Sequence, residues 1–302
     1  MKAQTNRRGF ALPIVLWLVV VMGGMAAVAA LTAREAVGAA TNRVGLARAR
    51  WLAEGCSHFI RGELAEWMVR SADAASLWAT IDSAALTTPA ECDVQLKPAG
   101  MTPDVNNLNE AQLARTLSLV GLSEAAAGSL AAAIIDWRDA DDVARPLGAE
   151  SQWYFESRMP LARNNPFAAP EELKLVKGAD AFPDIDLRFG TDDDPVLLTR
   201  APPFALIGLP GMGDEGVAAI LSARNEPDFP DLAVIAERLS EPARLELLAS
   251  LPALRQLTTA KPLAWILTAT ARAPVEGIEA SIELRLARDN RRLAIVRRRT
   301  WP

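Results

Sequence analysis

The sequence predicts an α+β fold: a long N-terminal helix packed on an antiparallel sheet, with a large all-helical domain inserted before the last strands. Three observations lead there. An apolar run from Phe10 to Leu31 is followed by helical spacing as far as Trp67. Residues 106–258 are rich in Ala and Leu and broken by Gly and Pro, as short packed helices are. After residue 258 the pattern changes to β-rich stretches separated by turn residues.

Composition removes most function classes. Half of the 302 residues are hydrophobic and 23% are charged, so the chain is not globally disordered. Two cysteines exclude a disulfide-dense scaffold and a four-cysteine zinc site, and the one histidine, His58, excludes a multi-histidine metal site. A net charge of −5 argues against a general nucleic-acid binder, though not against a local basic patch. With no nucleophile motif and no Gly-rich phosphate loop, the chain reads as non-enzymatic.

Residues 1–9, MKAQTNRRG, carry Lys2, Arg7 and Arg8 and no acid. The 22 uncharged residues that follow would span about 33 Å as a helix, enough to cross a bilayer. The basic flank predicts a cytoplasmic N-terminus, with everything after Leu31 on the far side; a secretory signal peptide, for which the run is long and lacks a clear cleavage site, and a plain signal anchor are the competing readings. Pro13 sits four residues into the run. Inside a helix it would cost on the order of 3 kcal/mol. If the chain is cut after Gly9, Pro13 falls in the first turn, where N–H groups have no intrahelical partner and the cost largely vanishes.

A basic leader, Arg8-Gly9, and then Phe10 opening an apolar helix resemble a prepilin-type signal. The resemblance implies cleavage by prepilin peptidase between Gly9 and Phe10, with Phe10 N-methylated and the helix retained for a filament core. Most pilin-like subunits carry Glu at the fifth mature position; here it is Ile14. A carboxylate in an apolar core is expensive unless paired, and a first subunit has no predecessor to pair it. Loss of that Glu resembles the type II secretion minor pseudopilin K (general secretion pathway protein K) family.

Helical spacing continues through Leu52, Cys56, Phe59, Ile60, Leu64 and Trp67, which predicts one apolar face. Arg34, Arg43, Arg48 and Arg50 read as a solvated face near headgroups. His58 reads as structural, with no acidic neighbour within a turn on its own face. Residues 71–105 read as a polar linker and a short strand, Asp93 to Leu96, opened by Cys92 and bounded by Pro89 and Pro98. Cys56 and Cys92 would face an oxidising compartment, where a disulfide between them is allowed. Spacing alone does not establish its geometry.

Within 106–258 two segments resemble each other, Leu119 to Asp139 and Leu206 to Glu226. Each has a glycine-containing turn, paired aliphatics (Ile134-Ile135, Ile220-Leu221) and a terminal arginine (Arg138, Arg224). This predicts a degenerate duplication of helix-hairpin-helix, SAM-like units, 106–190 and 191–258. The turn LPGMG, Leu209 to Gly213, either offers N–H groups to a nucleic-acid phosphate or simply permits tight packing. Asp214 and Glu215 follow it, and no Lys or Arg lies between Ala201 and Ala223, which disfavours phosphate.

The first unit carries an acidic stretch, with Asp139, Asp141, Asp142 and Glu150 bent by Pro146 and Gly148. Hard oxygen ligands at this density suit Ca²⁺, although the EF-hand pattern is absent. A solvated acidic loop is the alternative. Here the chain again resembles the K family: IIDWRDADD, Pro146, Gly148 to Glu150, Trp153-Tyr154, Asn165-Pro166-Phe167, Glu172 to Gly178 and, upstream, Asn107-Leu108-Asn109. The resemblance implies Ca²⁺ in this region, carried by position to Asp139, Asp141, Asp142 and Glu150. The family's later N-x-N-T-A motif is absent, and Asp192-Asp193-Asp194 reads equally as a turn or as ligands.

The C-terminal part, 259–302, predicts three strands: Leu263 to Ala271, Ile278 to Leu286 and Leu293 to Arg299. Arg285, Arg288, Arg291, Arg292, Arg297, Arg298 and Arg299 make it basic. With few aromatics nearby, a polar strand face or a contact to acidic partner subunits is expected before a nucleic-acid surface. The domain plan is thus a leader (1–9), a membrane helix (10–31), a pilin-like helix, linker and first strand (32–105), the insert and the final strands.

The resemblance implies a tip subunit that initiates the pseudopilus for export of folded proteins across the outer membrane. It implies an inner-membrane, single-pass protein, periplasmic in bulk. Its implied partners are the other minor pseudopilins, the major pseudopilin, prepilin peptidase and the inner-membrane secretion platform. The competing reading is a membrane-anchored helix-hairpin-helix DNA-binding protein of an uptake system.

Overall fold

A computed structural model describes residues 11–70, 88–275, 277–289 and 292–301. Gly9, Phe10 and the linker residues 71–87 lie outside the described residues. Helix α1 runs unbroken from Ala11 to Arg70, 60 residues, or about 90 Å at 1.5 Å per residue. It is the one described helix long and apolar enough to cross a membrane, with a mean hydropathy of 2.6 in its most apolar window. No described side chain from Leu12 to Val44 is buried. The upper part packs on the sheet.

That sheet is four-stranded and antiparallel, in the order β1 (Cys92–Pro98), β4 (Ala264–Arg272), β5 (Glu279–Asp289), β6 (Arg292–Trp301). Strand β1 therefore joins the C-terminal meander across the insert, with Leu96 opposite Leu267 and Cys92 opposite Ala271. Alternation puts Leu267, Ala269, Ala271, Ile282, Leu284 and Leu286 on the face that meets Ala53, Cys56, Ile60 and Leu64 of α1. Each fully buried Leu or Ile contributes roughly 1.5–3 kcal/mol. Phe59 departs from the expected face and is exposed. It lies about 100° round the helix from Ile60, so its ring misses the sheet.

Cys56 is disulfide-bonded to Cys92, with a Cα–Cα distance of 6.1 Å. The bond ties α1 to the edge strand across the undescribed linker. His58 departs from expectation in one respect: its Nε2 lies 3.4 Å from Glu54 Oε1, one turn below. An i, i+4 pair shares a face, so the acidic neighbour is present after all.

The insert leaves the frame and returns to it twice. Three segments, 99–105, 190–198 and 258–264, run side by side as its stem. Ala99 N–H bonds to Ala264 O, Leu197 N–H to Gly100 O, Leu198 N–H to Thr259 O and Val105 N–H to Gly190 O. The insert is helical apart from this stem, where β2 (Val196–Leu197) and β3 (Thr258–Thr259) form a two-residue parallel ladder. Gly100 has φ +78°, and a Cβ there would lie 2.2 Å from Pro195 O, so the stem closes only on glycine.

Each excursion has its own core. The first packs α2 (Glu110–Leu119), α3 (Glu124–Arg138) and α4 (Ser151–Glu156) around Leu113, Leu117, Ile134, Trp137, Tyr154 and Phe189. The second packs α5 (Pro203–Ile207), α6 (Asp214–Ala223), α7 (Leu232–Ala236) and α8 (Glu241–Leu257) around Leu206, Met212, Ile220, Ile235, Leu247 and Leu254. Arg138 donates from both Nη atoms to Val105 O and Leu108 O. Arg224 likewise donates to Leu198 O at 2.8 Å and Ala201 O at 2.6 Å. In both units the terminal arginine forks onto two carbonyls three residues apart, ahead of the unit's first helix. The sequence repeat thus has a shared tertiary contact.

Candidate metal centre

The site is built at the C-terminal end of α3. Ser123 caps the helix, its Oγ accepting from Ala126 N–H. The helix buries every residue from Leu130 to Trp137. Asp136 is therefore carried inside, fully buried. It accepts from the backbone N–H of Arg145 at 3.1 Å and from Arg145 Nη1 at 2.8 Å. That guanidinium also pairs with Asp139. Gly148 is required here because a Cβ would lie 2.0 Å from Asp136 Oδ2.

The loop then brings its carboxylates back together. One oxygen each of Asp139, Asp141 and Glu150 lie within 4.8 Å of one another. Asp142 does not join them: its Oδ1 accepts from Ser151 Oγ at 2.9 Å and Asn164 Nδ2 at 3.1 Å. Of the four expected ligands, three converge and the fourth braces the loop. Asn164 was not expected from the sequence. It adopts φ +49° and reaches the loop from 22 residues on, donating also to Asp141 O at 3.2 Å.

Both oxygens of Glu150, Oδ1 of Asp139 and Oδ1 of Asn164 are buried without a hydrogen-bond partner. Burial, then the charges of Asp136, Asp139, Asp142 and Asp141, push the Glu150 carboxyl up to about 7. Four unpartnered oxygens in an acidic field are costly unless a cation fills the space. Hard oxygens of this kind suit Ca²⁺, and the residues present fit that ion.

Aromatic packing fixes the frame around the loop. Trp137 meets Tyr154 edge-on at 5.0 Å and stacks on Phe167 at 6.3 Å. Lys177 Nζ donates to Gly148 O at 2.8 Å and Leu147 O at 3.2 Å, and lies 5.4 Å from the centre of the Trp153 ring.

The features weighed against a nucleic-acid role, the LPGMG turn and the basic strands, make contacts within the protein. Gly211, φ +66°, packs against α8, where a Cβ would lie 2.4 Å from Ser250 Oγ. Gly211 of LPGMG thus serves helix packing, whereas a Cβ at Gly213 would meet open space. Arg285 pairs with Asp194, Arg297 with Asp192 and Glu283, and Arg298 with Glu54. Arg299 donates to Ala168 O and Thr191 Oγ1. The acidic run at 192–194 is thus both a turn, with Asp193 at φ +53°, and a clasp on the sheet.

Residues 93–182 match the sequence model of type II secretion system (T2SS) protein K. Among solved structures, the chain is similar to one in the GspK–GspI–GspJ complex from the enterotoxigenic Escherichia coli type 2 secretion system. The match covers 86% of this chain and 98% of that one, with a TM-score of 0.63 and 15% identity. At that identity the likeness is one of fold. No curated protein matches the chain.

Proposed function

Starting from a type II secretion minor pseudopilin of the protein K family, we propose that this chain sits at the tip of the pseudopilus and initiates its assembly. Its partners there are the I- and J-type minor pseudopilins, since the similar solved chain is in complex with GspI and GspJ. The major pseudopilin and the inner-membrane secretion platform are engaged as the filament grows. The observation that carries the reading is the pairing of an acid-free stalk with a bulky head. Ile14 leaves the apolar run of α1 without a carboxylate. The two-unit insert gives the head a bulk that close packing would crowd along a shaft.

Prepilin peptidase cuts between Gly9 and Phe10, and Phe10 is then N-methylated. The protein spans the inner membrane once, with its N-terminus cytoplasmic and its bulk periplasmic. The disulfide fits that oxidising side. The protein acts as a structural component of the secretion apparatus. Placement is tested by gold labelling of an epitope in the insert on overproduced pseudopili. Label at one end supports the tip; label along the filament refutes it.

We also propose that Asp139, Asp141 and Glu150 hold Ca²⁺, with Asn164 Oδ1 beside them and Asp142 orienting Asn164. The bound ion supplies positive charge that neutralises the carboxylates and locks the loop onto α3 and α4. Titration of residues 32–302 with Ca²⁺ tests this. A midpoint of unfolding that rises with Ca²⁺ and falls with chelator is expected; an unchanged midpoint at saturating Ca²⁺ refutes it.

A further inference from the structure

A cavity of about 500 Å³ lies beside the carboxylate loop, the size at which small-molecule sites are usually found, about 300–1,000 Å³. It is lined on the loop side by Asp142 and Glu150 and along α4 by Ser151, Gln152, Trp153 and Glu156. Glu150 is only 4% exposed, and neither of its oxygens has a hydrogen-bond partner among the described residues. The donors on the wall serve acids already there. Ser151 Oγ donates to Asp142 Oδ1 at 2.9 Å, and Gln152 Nε2 donates to Glu156 Oε1 at 2.9 Å. The cavity therefore presents oxygen acceptors and one indole ring, and it suits a ligand that brings donors and oxygens of its own.

Charge narrows the class of ligand. The carboxylates of Asp139, Asp141 and Glu150 together outweigh a doubly charged ion, and Asp142 and Glu156 add to the surplus on the wall. An anion would be repelled there. Arg145 is paired with Asp136 and Asp139, and Lys177 Nζ donates to Gly148 O and Leu147 O. A cationic group would compete with the ion for the same carboxylates. A neutral ligand does neither. Ca²⁺ takes about six to eight oxygens, so one each from Asp139, Asp141, Glu150 and Asn164 leaves its shell open. Neighbouring hydroxyl groups are hard oxygens that can enter that shell, and their protons can go to a carboxylate oxygen such as the second one of Glu150. Resting on the Ca²⁺ reading above, we infer that this cavity binds a neutral saccharide, with adjacent hydroxyls at the metal loop beside Glu150 and a sugar ring against Trp153. The indole supplies a flat apolar surface with a negative face, which suits the C–H side of a pyranose. Lys177, 5.4 Å from the centre of that ring, helps to hold it.

Isothermal titration of the full-length chain, held in a detergent without a sugar headgroup, tests the site. The probes are glucose, galactose, mannose and the trimer of N-acetylglucosamine, each added with saturating Ca²⁺ and with chelator. At least one is expected to bind in Ca²⁺ with a dissociation constant of about 1 mM or below, and about ten-fold or more weakly in chelator. Linkage is reciprocal, so the same saccharide is expected to tighten Ca²⁺ binding by the same factor. Trp153→Ala is expected to weaken the saccharide about ten-fold while Ca²⁺ binds the variant as before, and Trp153→Phe to keep most of the affinity. Glucose 6-phosphate and trilysine are expected to bind more weakly than the neutral probe. Binding of none of the four saccharides, binding that persists in chelator, a Trp153→Ala effect no larger on the saccharide than on Ca²⁺, or a preference for either charged probe would overturn the saccharide site. Any of these with Ca²⁺ still bound by the unsubstituted chain leaves the metal reading in place. Absence of Ca²⁺ binding removes both.

Discussion

Glu150 joins charge and pH in one side chain and is a proposed ligand of Ca²⁺. Its carboxyl is pushed up to about 7 in the folded protein, against an ordinary 4.5. The folded state therefore holds a proton that the unfolded state has released between those values. Stability from this group is full below pH 4.5 and falls as pH rises towards 7, by at most about 3 kcal/mol. Chelated protein is thus expected to melt higher at pH 5 than at pH 7.5, and Glu150→Gln to flatten that difference. Ca²⁺ at pH 7.5 is expected to raise the midpoint of the natural protein and to raise that of Glu150→Gln much less. Calorimetry of the four combinations checks both. Gly148→Ala is a sharper structural test, since its methyl group would occupy the space of Asp136 Oδ2. A loss of about 2–4 kcal/mol in urea unfolding is expected.

At this scale the sequence was partly readable. Asp139, Asp141 and Glu150 lie in one stretch, so density alone marks them. Asn164 escaped because its approach depends on a left-handed backbone position brought in by the fold, which no local spacing encodes. Asp136 escaped for another reason. It looks like an ordinary helix residue, and only its burial against Arg145 makes it part of the site. For His58 the acidic neighbour that its face was expected to lack is Glu54, at the i−4 position.

Among elements, the strands were the most readable, because alternation and turn residues are both local. The last three were expected within a few residues of Ala264–Arg272, Glu279–Asp289 and Arg292–Trp301. The stem was not readable: β2 and β3 are two residues each and parallel, a pairing fixed by the chain's return rather than by composition. Two tests belong here. The disulfide closes a loop between residues 36 apart in sequence, for which loop entropy predicts about 4 kcal/mol of stabilisation. Cys92→Ser in the soluble portion is expected to lower unfolding free energy by up to that amount under oxidising conditions, and to change little once reductant is present. The clasp from Asp192 and Asp194 to Arg285 and Arg297 joins the insert's midpoint to the sheet. Asp194→Ala leaves a largely buried arginine short of its partner. Faster amide exchange across residues 190–198 is the expected result, with the cores of the two units unaffected.

The whole molecule divides into a bare helical stalk, a frame and a two-unit head. The apolar run was plain in the sequence as a membrane-length helix behind arginines, and Arg8-Gly9 with Pro13 set it apart from a signal peptide or a plain anchor. That the head consists of two excursions from one stem emerged only in three dimensions, although the repeated terminal arginines hinted at it. If the stalk starts a filament, adding a carboxylate should harm it. Ile14→Glu is expected to lower secretion several-fold without changing the level of the protein, because the acid enters an apolar core with no amine ahead of it. Unchanged secretion would mean that the chain tolerates a predecessor.

The most direct test of the tip assignment is the position of the head on isolated pseudopili. Gold directed to an epitope within residues 106–258 should mark a single end of each fibre, about one cluster per filament. Regular labelling along the length would contradict the account, however well the fold and the carboxylate loop survive.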